Sequence, residues 1–234
     1  MAPSQDSDPP SGKNRHFDED YAEQATLTDG TEVHLRLVRP TDKEHLVRGL
    51  EAMSAKSRYR RFFTNKERFT GVELAYLTEF DGEDHLAIGA ERQLPDGDSQ
   101  GLGVARFVRD KKRPEVAEAA VAVVDHMHRQ GLGRLLFVRL VAAAAERGIT
   151  RFRADVLADN QAMLQLADQL APNEIEPEDD DVVVCTMPLP EVGATDSPHT
   201  ERRHGSTYGL LSLVGRQAVR VRHLLESLGD GPKS

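Results

Sequence analysis

The sequence predicts an α/β fold, and three observations support this class. Residues 116–189 alternate strand, helix, strand, helix and strand, which is the order of a crossover unit in a sheet. The apolar runs 85–93 and 101–110 are joined by LPDGDSQ, whose Pro, Asp and Gly residues indicate a hairpin turn. A strand with alternating apolar residues at 31–40 precedes them.

Three helices are expected between the first strand and the hairpin. Thr41 and Glu44 have capping-box spacing at the start of the helix DKEHLVRGLEAM. A short basic helix is expected over 54–63, and a capping box formed by Thr70 and Glu73 opens another. The two hairpin strands and the strand after them are expected to form an antiparallel group of three.

The second half of the chain carries the strongest helical periodicity. The segment GLGRLLFVRLVAAAAERG, residues 131–148, places its leucines on one stripe, and Gly148 stands where a C-cap glycine is expected. A second helix is expected over 159–170. The acidic run EIEPEDDD, residues 174–181, is interpreted as a solvated loop before the last strand, 181–189.

Composition shifts divide the chain into a central domain and polar ends. Residues 1–28 have almost no aliphatic side chains and are expected to form a disordered arm, because they bury too little surface to offset the entropy of ordering. The central domain spans 29–190 and is followed by a polar linker over 191–206. An amphipathic helix is expected over 207–229, packed on its own domain or on the second subunit of a homodimer, before the tail 230–234.

Composition also narrows the classes of function. The 234 residues carry a net charge of −9, which argues against general nucleic-acid binding. Cys185 is the only cysteine, so an internal disulfide and a multi-cysteine zinc site are excluded. No apolar run approaches the ~18–20 residues that span a bilayer, and the N-terminus lacks the apolar stretch of a signal peptide. A cytoplasmic protein without a membrane span is therefore expected.

One motif indicates a binding site for an anion. Residues 125–136, DHMHRQGLGRLL, place two glycines where a strand gives way to a helix, although glycine costs a helix interior roughly 1 kcal/mol relative to alanine. Free N–H groups and the macrodipole make such a helix start a site for phosphate or pyrophosphate. Arg129 and Arg134 add positive charge. The motif lacks the Gly-Lys-Ser/Thr of a Walker loop and the third glycine of the dinucleotide fingerprint.

Three segments in order resemble the GNAT superfamily of acetyltransferases. EVAEAAVAVVDHMHRQGLGRLL is similar to its acyl-CoA motif, Gln/Arg-x-x-Gly-x-Gly/Ala between a central strand and a helix. VHLRLVRPTDKEHLVRGLEAMSAKSRYRRFF resembles the opening of bacterial Pat-type protein lysine acetyltransferase domains, and DVLADNQAMLQLADQL resembles the later motif beside the pantetheine arm. The resemblance covers residues 31–189 and implies a central mixed sheet, splayed open where the thioester enters, with helices on both faces.

The resemblance also implies acetyl-CoA as co-substrate and residues that hold it. The CoA pyrophosphate would lie on the loop amides of Arg129, Gln130, Gly131, Leu132, Gly133 and Arg134. Asn160 would open the helix beside the pantetheine arm, and a backbone N–H of Val123 or Val124 would stabilise the developing oxyanion. No metal is expected, because His126 and His128 have no third ligand near them in the sequence.

Glu118 is the candidate general base. A lysine ammonium with a pKa of ~10.4 must lose a proton before it can attack a thioester near pH 7, and a nearby carboxylate can accept that proton. In Pat-type enzymes a Glu at this motif position has that role. Glu115 is the alternative base, and the alternative role for Glu118 is that of a structural charge at the strand end.

The chain departs from the family at several points. His128 stands where Gln or Arg is usual, and no tyrosine lies between 160 and 190, where many members have a general acid for the leaving thiolate. The basic stretch over 58–66 is either a solvated helix face or a contact for the CoA 3′-phosphate or an acidic partner protein.

Three functions are therefore carried forward. The leading one is direct acetyl transfer from acetyl-CoA to an amine, with a protein lysine as acceptor because the resemblance extends to the Pat-type branch. A small-molecule amine is the alternative acceptor. A non-catalytic acyl-CoA-binding regulatory module is the alternative from another class, suggested by the missing tyrosine.

Overall fold

The computed structural model describes residues 15–161, 164, 167–168, 174–179 and 181–189. Within them, eight strands form one mixed sheet in the order β1-β2-β3-β4-β5-β6-β8-β7. The strands are β1 (Ala22–Thr26), β2 (Glu32–Leu37), β3 (His85–Gln93), β4 (Ser99–Arg109), β5 (Val116–Val123), β6 (Arg151–Leu157), β7 (Glu174–Asp179) and β8 (Val182–Pro188). The helices with given bounds are α1 (Lys43–Glu51), α2 (Ala55–Phe62), α3 (Gly71–Thr78) and α4 (Leu132–Glu146).

Helices cover both faces of the sheet, as predicted. Helix α4 packs on β3, β4 and β5, and the ring of Phe137 in α4 meets that of Phe152 in β6 at 5.8 Å. Phe107 of β4 joins this core, with its ring 6.3 Å from that of Phe152. Because neighbouring residues of a strand point to opposite faces, Arg106 points toward the other layer, where α1 packs on β4 and against α3.

The antiparallel group of three strands is confirmed. β3 pairs with β4 and β4 with β5, all antiparallel. The hairpin turn is closed by the N–H of Leu94 donating to the carbonyl of Asp98 at 2.8 Å, and Gly97 takes a φ of 88° there. Thr70 and Glu73 form the predicted capping box of α3. Gly148, at a φ of 73°, ends the long helix as predicted.

The predicted capping box of Thr41 and Glu44 is wrong. A 3₁₀ turn over Pro40–Asp42 precedes α1, and the carboxylate of Asp42 accepts from the N–H of Arg39 at 2.7 Å. The side chain of Asp42 also pairs with Arg36 at 2.7 Å. Asp42 is thus held by the strand before the helix, which the local spacing could not show.

The predicted disorder of residues 1–28 is wrong over 15–28. Residues 22–26 form β1, which pairs along its whole length with β2. Phe17, Tyr21 and Leu27 are buried in the main hydrophobic core. Three well-spaced large apolar side chains are enough to anchor a segment whose average composition is polar. Residues 1–14 lie outside the described part of the chain.

The acidic run is also corrected. Residues 174–179 form the edge strand β7, paired antiparallel with β8, where a solvated loop was expected. The described side chains of 174–178 are exposed, which explains why a strand here is acidic. Charged residues on an edge strand discourage pairing with other chains.

Several predicted elements lie wholly or partly outside the described residues. Of the helix expected over 159–170, residues 159–161, 164, 167 and 168 are described. Residues 159 and 160 are not helical, and 161, 164, 167 and 168 are. The linker, the C-terminal amphipathic helix and the tail, 191–234, lie outside. In the described part of the chain, no helix is long and apolar enough to cross a membrane.

Cys185 is a buried strand residue of β8. Burial raises the pKa of its thiol to about 11, so the reactive thiolate is scarce at neutral pH.

Candidate acyl-CoA site

The loop between β5 and α4 presents an unusual run of free backbone amides. Arg129 and Gly131 both adopt left-handed backbone, with φ of 64° and 87°. When right-handed and left-handed residues alternate along the backbone, successive N–H groups point to the same side and form a concavity that binds anions. Among the residues that the structure describes, the N–H groups of 129–134 have no hydrogen-bond acceptor. The first intrahelical bond runs from Leu135 to the carbonyl of Gly131, at 3.0 Å.

Neighbouring segments hold this loop in place. The carbonyl of Gln130 accepts from the hydroxyl of Thr28 at 3.1 Å, and the side-chain amide of Gln130 donates to the carbonyl of His126 at 3.2 Å. Ser54, just before α2, donates its N–H to Asp125 at 2.9 Å. Burial would raise the pKa of Asp125, but hydrogen bonds from Ser54 and Ser57 outweigh it and hold the pKa below its ordinary value. The loop is therefore fixed before any ligand arrives.

His128, the position that departs from the family pattern, ties the loop to the strand. Its Nε2 lies 3.1 Å from the carbonyl oxygen of Val123 and 3.4 Å from Oδ1 of Asp125. A carbonyl accepts only, so Nε2 carries the hydrogen in this bond. In the described part of the chain, no group of three or more ligand-type side chains forms a metal site.

β5 and β6 are the only parallel neighbours among the described strands, and they separate early. Their pairing covers Val116–Glu118 against Arg151–Arg153, although β5 continues to Val123. Beyond Glu118, β6 no longer covers the edge of β5. The sheet is therefore splayed at this point, as the family resemblance implies.

The amide of Val123 faces the splay, whereas that of Val124 does not. Val124 donates its N–H to the carbonyl of Leu102 on β4 at 2.9 Å, so the prediction of Val124 as an oxyanion donor is wrong. Backbone N–H groups alternate in direction along a strand, so those of Val121 and Val123 point toward the gap left by β6. Both residues line the cavity described next.

A basic cavity of about 330 Å³ lies beside the loop. Residues from three elements line it: α2 with the turn before it, the end of β5, and the loop itself. Its positively charged side chains are Lys56, Arg60, Arg61 and Arg129. Positive charge around free amides suits a phosphorylated ligand.

The basic stretch 58–66 is not a uniformly solvated face. Arg61 is 8% exposed and lines the cavity, and Arg60 lines it while lying 3.5 Å from Asp159. Lys66, by contrast, pairs with Glu73 of α3, and Arg58 donates to the carbonyl of Lys66 at 3.5 Å. The stretch is therefore divided between a ligand cavity and structural contacts.

A second cavity, of about 100 Å³, continues under α1, α2 and α3. It shares Met53, Arg61, Ala122 and Val123 with the first cavity, so the two adjoin at the end of β5. Much of its wall is apolar, with Leu46, Leu50, Phe62, Phe69, Leu77 and Val104. Arg106, only 3% exposed, also lines it.

Glu118 lies on β5 directly opposite Val108 of β4, at the last position that pairs with β6. It shares a strand face with Ala122, about 13 Å away at ~3.3 Å per residue, and it lines neither cavity. Burial is the main cause that raises the pKa of Tyr76, and the charge of Glu118 adds to it, while Arg106 acts in the opposite direction. Glu118 is therefore within electrostatic range of Tyr76. The sequence analysis did not identify Tyr76 as a neighbour of the candidate base.

Asn160 is 2% exposed and directly precedes the first helical residue after β6, Gln161. Its carbonyl accepts from the N–H of Leu164 at 3.2 Å, and its own N–H donates to Leu157 at 2.8 Å. The structure does not bring Asn160 into either of the two cavities.

An anion-binding helix start at the mouth of a splayed parallel strand pair defines a class of proteins that bind an acyl-CoA thioester across the sheet. The free amides, the left-handed Gly131 and the basic cavity fit the pyrophosphate of that group. Residues 53–171 match the family described as Acetyltransferase (GNAT) family, and the chain belongs to it.

Comparisons with individual proteins agree with this membership. The chain is 34% identical to "Acetyltransferase Pat" of Mycolicibacterium smegmatis over 68% of its own length and 46% of that protein, so it spans just under half of that relative. It is 25% identical to "Acetyltransferase PA5475" of Pseudomonas aeruginosa, over 70% of its own length and 88% of that protein.

Among solved structures, the GNAT domain of Streptomyces lividans PAT superposes with a TM-score of 0.64 at 27% identity, over 72% of this chain and 97% of that one. A Salmonella typhimurium acetyltransferase, yncA, solved with its cofactor acetyl-CoA, shares the fold at 19% identity with a TM-score of 0.52, over 70% of this chain and 98% of that one. The splayed mixed sheet is thus the GNAT fold.

Sequence reasoning missed one feature of the cavity wall, the burial of Arg61 and Arg106 within electrostatic range of Tyr76. Arg106 stands alone in the apolar run GLGVARFV, and a lone arginine in such a run is the signal that was available. Arg61 gave no separate signal, because it lies within a generally basic helix.

Proposed function

We propose that this protein transfers an acetyl group from acetyl-CoA directly to an amine, and that the acceptor is a protein lysine. One observation carries the proposal: six consecutive backbone amides, 129–134, have no acceptor in the described part of the chain and stand at the start of α4 beside the splay of β5 and β6. Membership in the GNAT family supports it. The similarity to Acetyltransferase Pat supports the choice of acceptor.

The loop residues would hold the pyrophosphate through backbone N–H groups rather than through side chains. The amides of Arg129, Gln130, Gly131, Leu132, Gly133 and Arg134 would donate to it, and Lys56 and Arg60 add positive charge. The N–H groups of Val121 and Val123, at the edge of β5 that β6 does not cover, would orient the thioester end of the cofactor. Acetyl-CoA, when bound, supplies the acetyl group as an activated thioester.

Glu118 would accept the proton of the acceptor amine. A lysine with a pKa of ~10.4 pays roughly 4–5 kcal/mol to be neutral at pH 7, and a general base removes that obstacle. Because Glu118 stands about 13 Å along the strand from Ala122, we propose that the proton reaches it through water. Loss of a positioned base typically lowers a rate 10²–10⁴-fold.

Substitution of Glu118 tests this proposal. Glu118→Gln is expected to lower acetyl transfer at least 100-fold while calorimetry shows unchanged acetyl-CoA binding. Glu115→Gln is the matched comparison, because Glu115 lies just before the same end of β5 and its side chain is exposed. The backbone carbonyl of Glu115 accepts hydrogen bonds from the N–H groups of Thr150 and Arg151, and the substitution leaves this carbonyl in place. Equal turnover in Glu118→Gln and the parent would remove Glu118 from the mechanism.

Two further results decide among the alternatives. Labelled acetyl-CoA offered with lysine peptides and with small amines identifies the acceptor class. Binding of acetyl-CoA without transfer to any acceptor would favour a non-catalytic regulatory module. Absence of acetyl-CoA binding would end the proposal as a whole.

A further inference from the structure

Arg61 and Arg106 are two buried cations without a counter-ion among the residues that the structure describes. Their side chains are 8% and 3% exposed, and neither makes an ion pair with a described carboxylate. Lysines and arginines are almost never this buried unless they are paired. The pairing group is therefore expected to come from outside this part of the chain.

The contacts that the two guanidinium groups do make leave much of their capacity unused. Arg106 donates one hydrogen bond, to the carbonyl of Leu77 at 2.8 Å, and its Nε has no partner among the described residues. Its Cζ lies 6.0 Å from the ring centroid of Tyr76. Within the described part of the chain, Arg61 has one such contact, with its Cζ 5.1 Å from the ring of Phe62, and no side-chain hydrogen bond.

The two arginines are also close enough to repel each other. Burial, and to a smaller extent the charge of Arg106, lowers the pKa of Arg61 to about 9. Burial lowers the pKa of Arg106 to about 10. Both remain charged at neutral pH, so an anion between them would relieve repulsion and desolvation together.

The second cavity provides space for that anion. Both arginines line it, its volume is about 100 Å³, and most other side chains around it are apolar. Its two carboxylates, Asp42 and Glu91, are both paired with Arg36. A single water molecule needs only ~10–15 Å³ of such space, so the cavity has room for a group of several non-hydrogen atoms. It adjoins the basic loop cavity at Arg61, Ala122 and Val123, the end of β5 that faces the splay.

We propose that Arg61 and Arg106 bind a carboxylate at the end of a short carbon chain of the substrate, in the cavity under α1, α2 and α3. A carboxylate matches the planar fork of arginine, and the apolar wall matches a carbon chain. The phosphate groups of CoA are larger, and they would bind to the loop amides 129–134 rather than in this cavity. This inference rests on the proposed function, because it places the carboxylate beside the thioester end of the site.

The carboxylate has two sources, and the experiment separates them. In the acyl arm, calorimetry compares malonyl-CoA with isovaleryl-CoA, which has nearly the same shape without the charge. In the acceptor arm, which applies to a small-molecule amine acceptor, titration of the CoA-bound protein compares free lysine with cadaverine, which lacks the carboxylate. One pair is expected to show roughly a 10–100-fold preference for the carboxylate-bearing member, since a hydrogen bond to a charged group has that effect.

Variants connect the preference to the arginines. Arg61→Met and Arg106→Met are expected to abolish the preference, and Arg61→Lys, which keeps the charge but not the fork, to reduce it. Arg48→Met is the matched control, because Arg48 is an exposed arginine of α1 that lines neither cavity. Arg61→Met is expected to melt no lower than the parent, since it removes an unpaired buried charge.

The outcomes are distinguishable from those of the proposed function. Acetyl-CoA binding by the parent keeps the proposed function, whatever the two pairs show. If the parent binds acetyl-CoA but prefers neither carboxylate-bearing ligand, the inference is overturned. A preference that survives in Arg61→Met and Arg106→Met overturns it as well. Should either variant fail to fold, a rise in the melting temperature of the parent with free malonate, but not with chloride, supports the site, and equal melting in both salts contradicts it.

Discussion

At the scale of single residues, Gly131 shows how the loop obtains its free amides. A φ of 87° is reached easily by glycine and at a cost of roughly 1–2 kcal/mol by other residues. Arg129 nearby accepts that cost at a φ of 64°. Both positions turn their N–H groups away from the helix, so the strain is associated with the shape of the anion site.

Gly131→Ala is expected to weaken acetyl-CoA binding and to lower the free energy of unfolding by about 1–2 kcal/mol. Gly97→Ala is the matched control, because Gly97 has nearly the same φ, 88°, in the distant β3–β4 turn with no heavy atom within 4 Å of an added Cβ. Urea unfolding should show similar losses in the two variants, while calorimetry should show weaker binding only in Gly131→Ala. Equal affinity in both would mean that the loop tolerates a change of backbone.

His85 gives a residue-scale prediction about pH. Its ring lies 5.0 Å from the rings of Tyr76 and Phe80, and burial, assisted by the charge of Arg106, lowers its pKa to about 3. An unfolded histidine has a pKa of ~6.5, so the unfolded chain binds the proton more readily and stability falls as the pH drops from about 6.5 toward 3. The loss is expected to reach about 2 kcal/mol at pH 5.

Urea unfolding of the parent and of His85→Gln at pH 8 and pH 5 checks this. The parent should lose about 2 kcal/mol more than the variant between the two pH values. Carboxylates contribute mostly below pH 5 and appear in both proteins, so the difference isolates His85. Parallel losses in the two proteins would contradict a neutral buried His85.

At the scale of elements, the predictable parts are those whose own side chains decide the structure. Helix α4 was predictable from its apolar periodicity, the β3–β4 hairpin from its turn residues, and the start of α3 from its capping box. Each of these signals lies within the element itself. β1 and β7 do not, because they are polar edge segments held by pairing with β2 and β8. Their structure depends on partners far along the chain, which a local pattern does not contain.

The close approach of β4 and β5 at Gly103 gives an element-scale prediction. A Cβ added at Gly103 would lie 2.9 Å from the carbonyl oxygen of Ala122 and 2.9 Å from Cγ2 of Val123. Gly103→Ala is therefore expected to cost about 1–3 kcal/mol through overpacking and to shift the end of β5. Gly49→Ala, in α1 with open space around it, is expected to be neutral or to stabilise by up to ~1 kcal/mol.

Chemical denaturation of the two variants measures these effects. A second measurement, acetyl-CoA affinity, reports on the N–H of Val123, which pairs in register with Gly103. Gly103→Ala should lower both stability and affinity. If Gly103→Ala is as stable as the parent, β4 and β5 can move apart at Gly103 without loss of folding stability, which would contradict the prediction.

At the scale of the whole molecule, the candidate site is assembled from segments that the sequence keeps far apart. The loop amides were predictable, because glycines and a helix start stand together in the motif at 125–136. The second cavity was not, since it needs α1, α2 and α3 laid over β2–β5, and this packing decides that Arg61 is buried. The same holds for Val124, whose amide is used by β4 and not by the site.

Residues 15–28 extend this dependence to the N-terminal segment. Arg139 of α4 makes two hydrogen bonds to Glu23, at 2.7 and 2.6 Å, and Arg147 donates to the carbonyl of Phe17 at 2.7 Å. Thr28 holds the carbonyl of Gln130. The segment therefore braces α4 at both of its ends, one of which is the anion loop.

Deletion of residues 1–28 is consequently expected to unfold the domain or to leave it marginally stable. Phe17, Tyr21 and Leu27 are buried, and burial of each such side chain contributes about 1.5–3 kcal/mol, a sum comparable to the ~5–15 kcal/mol of a whole domain. Deletion of residues 1–14 is the control, because every contact named above remains. Thermal unfolding should show a large fall in the melting temperature for the longer deletion and little change for the shorter one. If the longer deletion melts like the parent and binds acetyl-CoA equally well, the segment does not brace α4, and the disordered arm expected from composition would be the better description.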